Sequence, residues 1–255
     1  MDYHTLRLAL QPPLAWITLN RQADANRIDS PLLRELAEAT AAVAATDAIA
    51  LTVLDASGND FSLGWDEVTR DELLAAGDAG VVDPFGCIAS LACPVLAVVQ
   101  GAALSAGLEL ALAADLRICS DDARFGLPEV ADGILPLAGG SQRLPRIVGR
   151  SRAASMLLLG DELDAAAALT AGLVSRVFPR HKLAEAADAL ARRIAAHGPI
   201  ALRYAKEAVH KGLEMPLEHG LRYELDLSII LQTTSDRAEG VRAFLEKRPP
   251  NFTGT

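Results

Sequence analysis

In the first half of the chain, short apolar runs alternate with longer stretches whose apolar residues have a helical period. Short apolar runs typical of buried strands occur at Ala15–Leu19, Ala50–Leu54, Pro94–Val99 and Leu116–Cys119. Longer stretches between them are rich in alanine and leucine, and their apolar residues recur every three or four positions, as on one face of a helix. This alternation predicts an α/β fold whose strands pair mainly in parallel.

Local signals predict where some of these elements begin and end. Ser30 followed by Pro31 predicts a helix N-cap with proline at the first helical position. The segment after Gly101 predicts a helix that starts directly behind a strand and ends near Asp115. The stretch Val68–Asp83 is rich in acidic residues, alanine and glycine, which predicts a mobile loop near a site.

From about Ala138 onward the pattern becomes almost entirely helical, with one short strand-like run at Leu173–Phe178. The segments Lys182–Ala196, Ile200–Lys211 and Leu217–Leu231 have helical periodicity. We therefore predict an α/β core over residues 1–197, which carries any active site, and a helical C-terminal region over residues 198–255.

Charge and composition exclude several classes of function. A net charge of −9 argues against a nucleic-acid surface, which needs clustered lysine and arginine. No basic segment followed by an apolar one opens the sequence, and the apolar runs are too short to cross a bilayer. Cys87, Cys93 and Cys119 lie in apolar stretches and predict buried, reduced thiols. These features predict a cytoplasmic protein with neither nucleic acid nor membrane as a partner.

The segment Gly101–Asp115, with the sequence GAALSAGLELALAAD, has the strongest chemical signal. Its small residues let the backbone approach a ligand, and unpaired amides at a helix start bind a phosphate or an oxyanion. Glu109 is the one charged residue in this apolar stretch, and burial would raise its pKa towards that of a general acid or base. A glutamate on a wet helix face, or one bonded to a backbone amide, explains this segment equally well.

Two further elements lie on either side of that segment. The loop Phe61–Asp66 follows a strand and a turn, and its small residues predict a tight turn that exposes backbone. An ordinary strand-to-helix connection also fits this loop. Pro128 precedes Glu129 and predicts that Glu129 lies in the first turn of a helix, where its charge is favourable. That favourable position is also a purely structural explanation for the residue.

Together these elements resemble the enoyl-coenzyme A hydratase/isomerase family, also called the crotonase family, over essentially the whole chain and most strongly over residues 61–149. The resemblance implies a spiral of ββα units followed by a helical C-terminal region. It implies that the backbone amides of Trp65 and Ala106 form an oxyanion hole. Family hydratases use two catalytic glutamates twenty residues apart, and Glu109 and Glu129 match them.

This resemblance implies that the protein adds water across the 2,3 double bond of an enoyl-coenzyme A thioester. The two amides would polarise the thioester carbonyl, which makes Cβ electrophilic. Glu109 would orient and deprotonate the water, and Glu129 would deliver a proton to Cα. Unequal burial can give the two glutamates the different protonation states that this requires. No cofactor is expected, because coenzyme A is part of the substrate, and the five histidines show no zinc-ligand spacing.

Further residues are implied by the same resemblance. Arg27 and Lys247 would bind coenzyme A, with Arg21 and Arg248 equally plausible, although an exposed solvated role fits each of them. The family forms trimers or pairs of trimers through its C-terminal helices, which implies a homotrimer or dimer of trimers here. The implied substrate-binding residues lie in the two loops and beside the helix start: Phe61, Ser62, Leu63, Gly64, Asp66, Gly107, Pro136 and Leu137.

Some departures from the family leave alternatives open. Trp65 and Leu63 stand where many hydratases have alanine, and the Trp65 side chain can reshape the acyl pocket. An isomerase, a dehydratase or another lyase of the family therefore remains an alternative. Ala103–Gly107 resembles a nucleophile elbow, which would make Ser105 the nucleophile of a serine hydrolase. A non-catalytic acyl-coenzyme A binding protein is the remaining alternative.

Overall fold

The computed structural model describes residues 3–76 and 83–255, and its strands form two sheets. A six-stranded sheet has the order β1-β2-β3-β4-β6-β9, in which β1 and β2 are antiparallel and all other neighbours are parallel. A smaller sheet has the order β5-β7-β8. The strands are β1 (Leu6–Gln11), β2 (Leu14–Leu19), β3 (Leu51–Ala56), β4 (Val95–Val99), β5 (Ala102–Leu104), β6 (Leu116–Ser120), β7 (Arg124–Gly126), β8 (Leu163–Asp164) and β9 (Arg176–Phe178).

The helices cover both faces of the large sheet and make up the end of the chain. They are α1 (Ser30–Ala44), α2 (Glu67–Ala76), α3 (Gly86–Ala89), α4 (Ala106–Leu112), α5 (Gly140–Val148), α6 (Arg150–Leu159), α7 (Ala165–Thr170), α8 (Leu183–Ala195), α9 (Pro199–Gly212), α10 (Leu217–Leu231) and α11 (Ser235–Glu246). The α/β architecture with mainly parallel pairing is therefore confirmed.

Successive units send one strand into each sheet before the chain turns into a helix. Strand β4 is wholly buried in the large sheet, β5 joins the small sheet, and α4 follows. Strands β6 and β7 repeat this path, and β7 pairs in parallel with β5. This confirms the predicted spiral of ββα units. The predicted direct passage from Gly101 into a helix was wrong, because β5 lies between them. The three residues of β5 are too few to show a strand period in the sequence.

Two predicted boundaries were wrong in detail. The N-cap of α1 is Asp29, not Ser30, because the extended backbone of Asp29 lets its carboxylate accept the Leu32 N–H at 2.8 Å. The predicted loop Val68–Asp83 is instead helical over α2, whose start is capped by a 3.2 Å hydrogen bond from the Thr69 N–H to the Asp66 carboxylate. Residues 77–82 of that predicted loop lie outside the described residues.

The later part of the chain is largely helical, as predicted, and it contains two short strands. The strand-like run Leu173–Phe178 contributes only β9, and the two-residue β8 was not predicted. Cys93 and Cys119 are buried and Cys87 is half-buried, and all three thiols are free. Within residues 3–76 and 83–255, no helix has the length and apolar character needed to cross a membrane. The division at residue 197 stays a prediction.

Helix α4 lies at the centre of the larger apolar cluster. All of its residues are buried, including Glu109, so its apolar residues surround the helix instead of forming one stripe. The cluster contains Phe61, Trp65 and Phe85 and covers one face of the large sheet. A smaller cluster packs α8 on the opposite face. The one charged side chain of α4 is therefore held at the centre of the fold.

Candidate active site

The loop Phe61–Asp66 extends the small sheet and is fixed against α4. Its Ser62 N–H donates to the Ala102 carbonyl at 3.0 Å, and the Leu104 N–H donates back to the Ser62 carbonyl at 3.0 Å. The Phe61 N–H donates to the Gln100 carbonyl at 2.8 Å. Because both sides of this pairing are backbone, the loop has one register relative to the start of α4.

Two glycines allow the loop and the helix start to touch. Gly64 has a φ of +101°, and a Cβ added to it would lie 2.6 Å from the Ser105 Cβ. A Cβ added to Gly107 would lie 2.4 Å from the Ser62 carbonyl oxygen. Both distances are shorter than any real Cβ contact, so only glycine fits at either position. The close approach brings together the two segments predicted to present amides.

The predicted oxyanion donors are adjacent to these glycines, since Trp65 follows Gly64 and Ala106 precedes Gly107. Ala106 is the first residue of α4, where backbone N–H groups have no partner within the helix. Across residues 3–76 and 83–255, neither the Trp65 N–H nor the Ala106 N–H donates to a protein acceptor. The amides on either side of Trp65 are occupied, since the Gly64 N–H bonds the Ser62 hydroxyl and the Asp66 N–H bonds the Ile28 carbonyl. Trp65 and Ala106 therefore have the free amides that an oxyanion hole needs.

The side chain of Trp65 forms a fixed wall beside these amides. Its indole stacks on Phe85, with ring centroids 5.9 Å apart and 10° between the planes. Only 5% of Trp65 is exposed, and its Nε1–H has no partner among the residues that the structure describes. Arg27 donates from Nη1 to the Trp65 carbonyl oxygen at 3.1 Å. The loop is thus fixed by an aromatic stack on one side and a guanidinium on the other.

Glu109 is fully buried and one of its carboxylate oxygens is held by backbone amides. Oε1 accepts the Ala138 N–H at 2.7 Å and the Gly140 N–H at 2.8 Å, whereas Oε2 has no partner within residues 3–76 and 83–255. Burial raises the pKa of Glu109 to about 7, and the two amides and Arg143 moderate the rise. A carboxyl with this pKa can release or accept a proton near neutral pH.

Glu129 begins a short 3₁₀ helix, Glu129–Asp132, and is 5% exposed. This confirms the first-turn position predicted from Pro128. Burial raises the pKa of Glu129, and the Ser105 hydroxyl lowers it to a smaller extent. That hydroxyl does not reach hydrogen-bond geometry with the carboxyl. Repulsion from Glu129 adds to the raised pKa of Glu109, so the two carboxyls lie close enough to interact. The structure brings the predicted pair together in one buried place.

The other predicted substrate-binding residues differ in what they contact. The Leu63 N–H donates to the Ala25 carbonyl at 3.1 Å. A Cβ added to Gly140 would lie 3.0 Å from the Pro136 Cβ and 3.0 Å from the Glu109 Oε1. Leu137 is half-buried and packs on the main core. The Asp66 carboxylate, in contrast, is already used to cap α2.

The predicted coenzyme A residues do not gather in one place. Arg27 lies at the loop through its bond to Trp65, but Lys247 is exposed at the C-terminal end of α11. Arg21 is paired with Asp24 and Asp29, and Arg248 is paired with Glu239 and Glu246. In the described residues, no hydrogen bond or ion pair joins Lys247 to the site.

Sequence reasoning missed the residues that hold Glu109. Arg143 pairs with Asp83 at 2.6 Å and donates to the Ala138 carbonyl at 2.9 Å, which fixes the loop whose amides bind the carboxylate. The sequence did contain a signal, the pair Gly139-Gly140 directly before α5. Gly139 has a φ of +94°, a conformation that favours glycine, and it turns the chain so that the Gly140 N–H meets Glu109.

Ser105 has the backbone expected of a nucleophile elbow but not its partners. Its φ of 51° and ψ of −129° form a sharp strand-to-helix turn. Its side chain lies beside Gly64. Among residues 3–76 and 83–255, no histidine forms a hydrogen bond with Ser105; the His210 ring, for example, pairs with Asp115 at 2.7 Å. The triad of a serine hydrolase is therefore not assembled here.

The chain is similar to known proteins over nearly its whole length. The enoyl-CoA hydratase/isomerase family model matches residues 11–255. A 2,3-dehydroadipyl-CoA hydratase of Escherichia coli is 40% identical over 251 residues, which cover 98% of each chain. A probable enoyl-CoA hydratase of Mycobacterium bovis is 39% identical over 256 residues, 99% of each chain. The crystal structure of an enoyl-CoA hydratase from Bacillus anthracis matches with a TM-score of 0.94 and 35% identity, covering 99% of this chain and 100% of that one. The chain belongs to the enoyl-CoA hydratase/isomerase family and has the crotonase fold.

Proposed function

We propose that this protein adds water across the 2,3 double bond of enoyl-coenzyme A thioesters, with Glu109 and Glu129 as its catalytic residues. The observation that carries this proposal is the pair of buried carboxyls beside two free backbone amides. Each carboxyl has a pKa raised by burial, and in the described part of the chain each keeps at least one oxygen without a protein partner. A buried pair of this kind is suited to handling a water molecule and its protons.

The proposed reaction follows from the positions of these groups. The Trp65 and Ala106 amides would bind the thioester oxygen and stabilise the enolate that forms when hydroxide adds to Cβ. Glu109 would orient the water and take its proton, and Glu129 would give a proton to Cα. One water is consumed, and its oxygen bonds to Cβ. Glu109 has then gained one proton and Glu129 has lost one, so transfer of a proton from Glu109 to Glu129 restores both starting states. No cofactor is needed beyond the coenzyme A of the substrate.

Double-bond isomerisation is the alternative within the family. An isomerase moves a proton between carbons and can work with one carboxyl, whereas hydration uses two. The second buried carboxyl, Glu129, therefore favours hydration. Both curated relatives described above are named as hydratases. The name of the Escherichia coli relative extends the substrates to be tested to thioesters whose acyl chain ends in a carboxylate.

The experiment that tests this proposal combines absorbance with product mass. We expect the protein to remove the conjugated absorbance of short- and medium-chain 2-enoyl thioesters and of a 2-enoyl thioester with a terminal carboxylate. We expect the product to be heavier by one water. An isomerase would change the absorbance without changing the mass. Absence of turnover with every thioester would contradict the hydratase assignment.

Coenzyme A binding is proposed to involve both Arg27 and Lys247. Arg27 lies beside the oxyanion loop within one chain, but Lys247 is exposed on the C-terminal helical region. We therefore propose that the Lys247 of a neighbouring subunit reaches the coenzyme A of this one. This arrangement needs an oligomer, with residues 198–255 as the oligomerisation region. The free thiols are in keeping with a cytoplasmic enzyme.

An exposed apolar stripe on α10 supports the oligomer. The stripe consists of four apolar residues spaced by four positions on one helix face, each more than half exposed: Leu217, Leu221, Leu225 and Ile229. Phe244 on α11 is 81% exposed. Apolar patches of this kind on a folded surface mark interaction sites. A homotrimer or dimer of trimers would bury them.

Disruption of this stripe is expected to dissociate the assembly. We expect the wild type to have the mass of a trimer or hexamer by light scattering after size exclusion. Leu221→Asp places a charge within the stripe and should yield smaller species. Leu159→Asp is the matched control, because Leu159 is 73% exposed on α6, outside residues 198–255. A monomeric wild type would contradict the proposal, and so would dissociation by the control alone.

A further inference from the structure

Two hydrogen bonds join Arg143 on α5 to Asp83, which lies 60 residues earlier in the chain. Arg143 donates from Nη1 to the Asp83 Oδ1 at 3.2 Å and from Nη2 to the Asp83 Oδ2 at 2.6 Å. A guanidinium and a carboxylate match each other in this two-point geometry, which fixes orientation as well as distance. The Arg143 side chain is only 21% exposed, so water screens this pair less than a pair on the open surface.

The guanidinium of Arg143 lies directly on residues 138–140, which we call the carboxylate loop. Its Nη1 also donates to the Ala138 carbonyl at 2.9 Å. A Cβ added to Gly139 would lie 2.5 Å from the same Nη1, so the guanidinium packs on the backbone of the loop. Two N–H groups of this loop in turn donate to the Glu109 Oε1, at 2.7 and 2.8 Å. A continuous series of hydrogen bonds therefore runs from Asp83 to Glu109.

The carboxylate loop is what orients Glu109. In the described part of the chain, Glu109 Oε1 is bonded by the two loop amides and Oε2 has no partner. Oε2 is therefore the oxygen available to a water molecule, and its direction depends on where the loop lies. A displacement of about 1 Å at a reacting group can lower a rate about 10²-fold. Small movements of the loop should therefore matter to catalysis.

The turn that contains Asp83 also contacts the proposed oxyanion segment. The Gly86 N–H donates to the Asp83 carbonyl at 3.0 Å, which closes the turn of residues 83–86. Phe85 lies within this turn and is fully buried, and its ring stacks on Trp65. One turn therefore contacts the segment that carries a proposed oxyanion amide and, through Arg143, the loop that orients Glu109. This places the Asp83–Arg143 pair between the two halves of the site.

We propose that Asp83 and Arg143 form a positioning pair, which holds the carboxylate loop in place and so keeps Glu109 directed at the water that it deprotonates. The inference rests on the proposed function, because it takes Glu109 as the base of hydration. Neither Asp83 nor Arg143 needs to touch the substrate. Asp83 acts only through Arg143, and Arg143 acts through the loop.

A double-mutant cycle tests this order of action. We expect Arg143→Gln to lower kcat for hydration about 10- to 100-fold and Asp83→Asn to lower it about 10-fold, with KM changed less than about 2-fold in both. Because Asp83 acts only through Arg143, the double variant should have the kcat of Arg143→Gln. Additive losses would overturn the proposal, and so would wild-type kcat in Arg143→Gln.

The matched control is an ion pair of the same chemistry on α8. Arg192 donates from Nε to Asp188 at 2.8 Å, and the Asp188 side chain is 45% exposed, against 41% for Asp83. Helix α8 packs on the opposite face of the large sheet from Glu109. We expect Asp188→Asn and Arg192→Gln to keep wild-type kcat. Equal losses in these two variants would show that any broken ion pair lowers kcat, which would overturn the proposal.

The pH profile separates a positioning role from a merely stabilising one. The two loop amides and Arg143 lower the pKa of Glu109, and burial and Glu129 raise it. Arg143→Gln removes the cation and loosens the amides, so both changes raise the pKa of Glu109. The limb where kcat rises with pH should therefore move to higher pH. A pair that only stabilised the fold would leave this limb in place in assays well below the melting temperature.

Hydrogen exchange of the loop amides provides a test that does not depend on turnover. We expect the Ala138 and Gly140 amides to exchange faster in Asp83→Asn and in Arg143→Gln than in the wild type, and at the wild-type rate in Asp188→Asn. Unchanged exchange in Arg143→Gln would overturn the inference even in an active hydratase. A wild type that hydrates no thioester would overturn the proposed function, while faster exchange in the variants would still show that the pair holds the loop.

Discussion

Replacement of Glu109 by glutamine is expected to lower kcat for hydration by about 10³-fold or more while the fold stays intact. General acid–base catalysis by a positioned group contributes about 10²–10⁴-fold, and glutamine can neither take nor give the proton. Glutamine keeps the shape of the side chain and one carbonyl oxygen for the Ala138 and Gly140 amides. The measurement is kcat and KM from the loss of conjugated absorbance, with Glu185→Gln on the exposed face of α8 as the control.

Glu129→Gln should give a loss of similar size, and the double variant should lose little more than either single one. Residues that act on the same step are not additive, because removing one already stops the step. An isomerase would behave differently, since one of the two single variants would keep most of its activity. Full activity of Glu109→Gln would contradict the role proposed for this carboxyl.

Glu109→Gln has a second expected consequence, on stability. The pKa of Glu109 is raised from 4.5 to about 7 in the folded protein, so the folded state binds more protons than the unfolded state between these values. Protonation of Glu109 therefore stabilises the folded wild type fully below about pH 4.5. This stabilisation, about 3 kcal/mol in all, is lost as the pH rises through 7. Glutamine does not titrate, so the free energy of unfolding of the variant relative to the wild type should rise over that window. Denaturant unfolding at pH 4.5, 6 and 8 measures this, and a constant difference would contradict it.

The sequence carried enough information to predict the elements with strong local signals. The strands near β2, β3, β4 and β6 were found because buried parallel strands are continuous apolar runs. Strands β5, β7 and β8 have two or three residues each, which is too short for any period to be recognised. Helix α2 was missed because its acidic and alanine-rich sequence fits a loop as well as a helix, and the Asp66 cap that starts it was assigned to the substrate.

The candidate site shows the same division between local and long-range information. Glu109, Glu129 and the two amides stood out because their segments are unusual in themselves and match a family. The contacts that set their chemistry are long-range. Ala138 and Gly140 reach Glu109 across 29 and 31 residues, and Arg27 reaches Trp65 across 38. Such contacts are determined by the packing of the spiral. The groups that bind a carboxyl could therefore not be identified from the segment that contains the carboxyl.

Gly107→Ala is expected to disrupt the oxyanion hole and to lower kcat by about 10²–10³-fold, the value of one lost oxyanion donor. The added Cβ would lie 2.4 Å from the Ser62 carbonyl oxygen and 2.8 Å from the Ser62 Cβ. This carbonyl is fixed by the Leu104 N–H, so relief requires the loop to move away from α4. The movement increases the distance between the Trp65 and Ala106 amides.

The matched control for this substitution is Gly212→Ala, because Gly212 is also a helical glycine, at the last residue of α9, and a Cβ there would meet none of the described residues within 4 Å. We expect Gly212→Ala to keep wild-type kcat, and Gly107→Ala to lose about 1–3 kcal/mol of unfolding free energy through overpacking. The loss of kcat must exceed what unfolding explains, so both variants are assayed well below their melting temperatures. Competition by butyryl-CoA tests the hole directly, since a saturated thioester presents the same carbonyl without reacting. If Gly107→Ala kept both wild-type kcat and wild-type butyryl-CoA binding, the close contact of loop and helix would not be what positions the two amides.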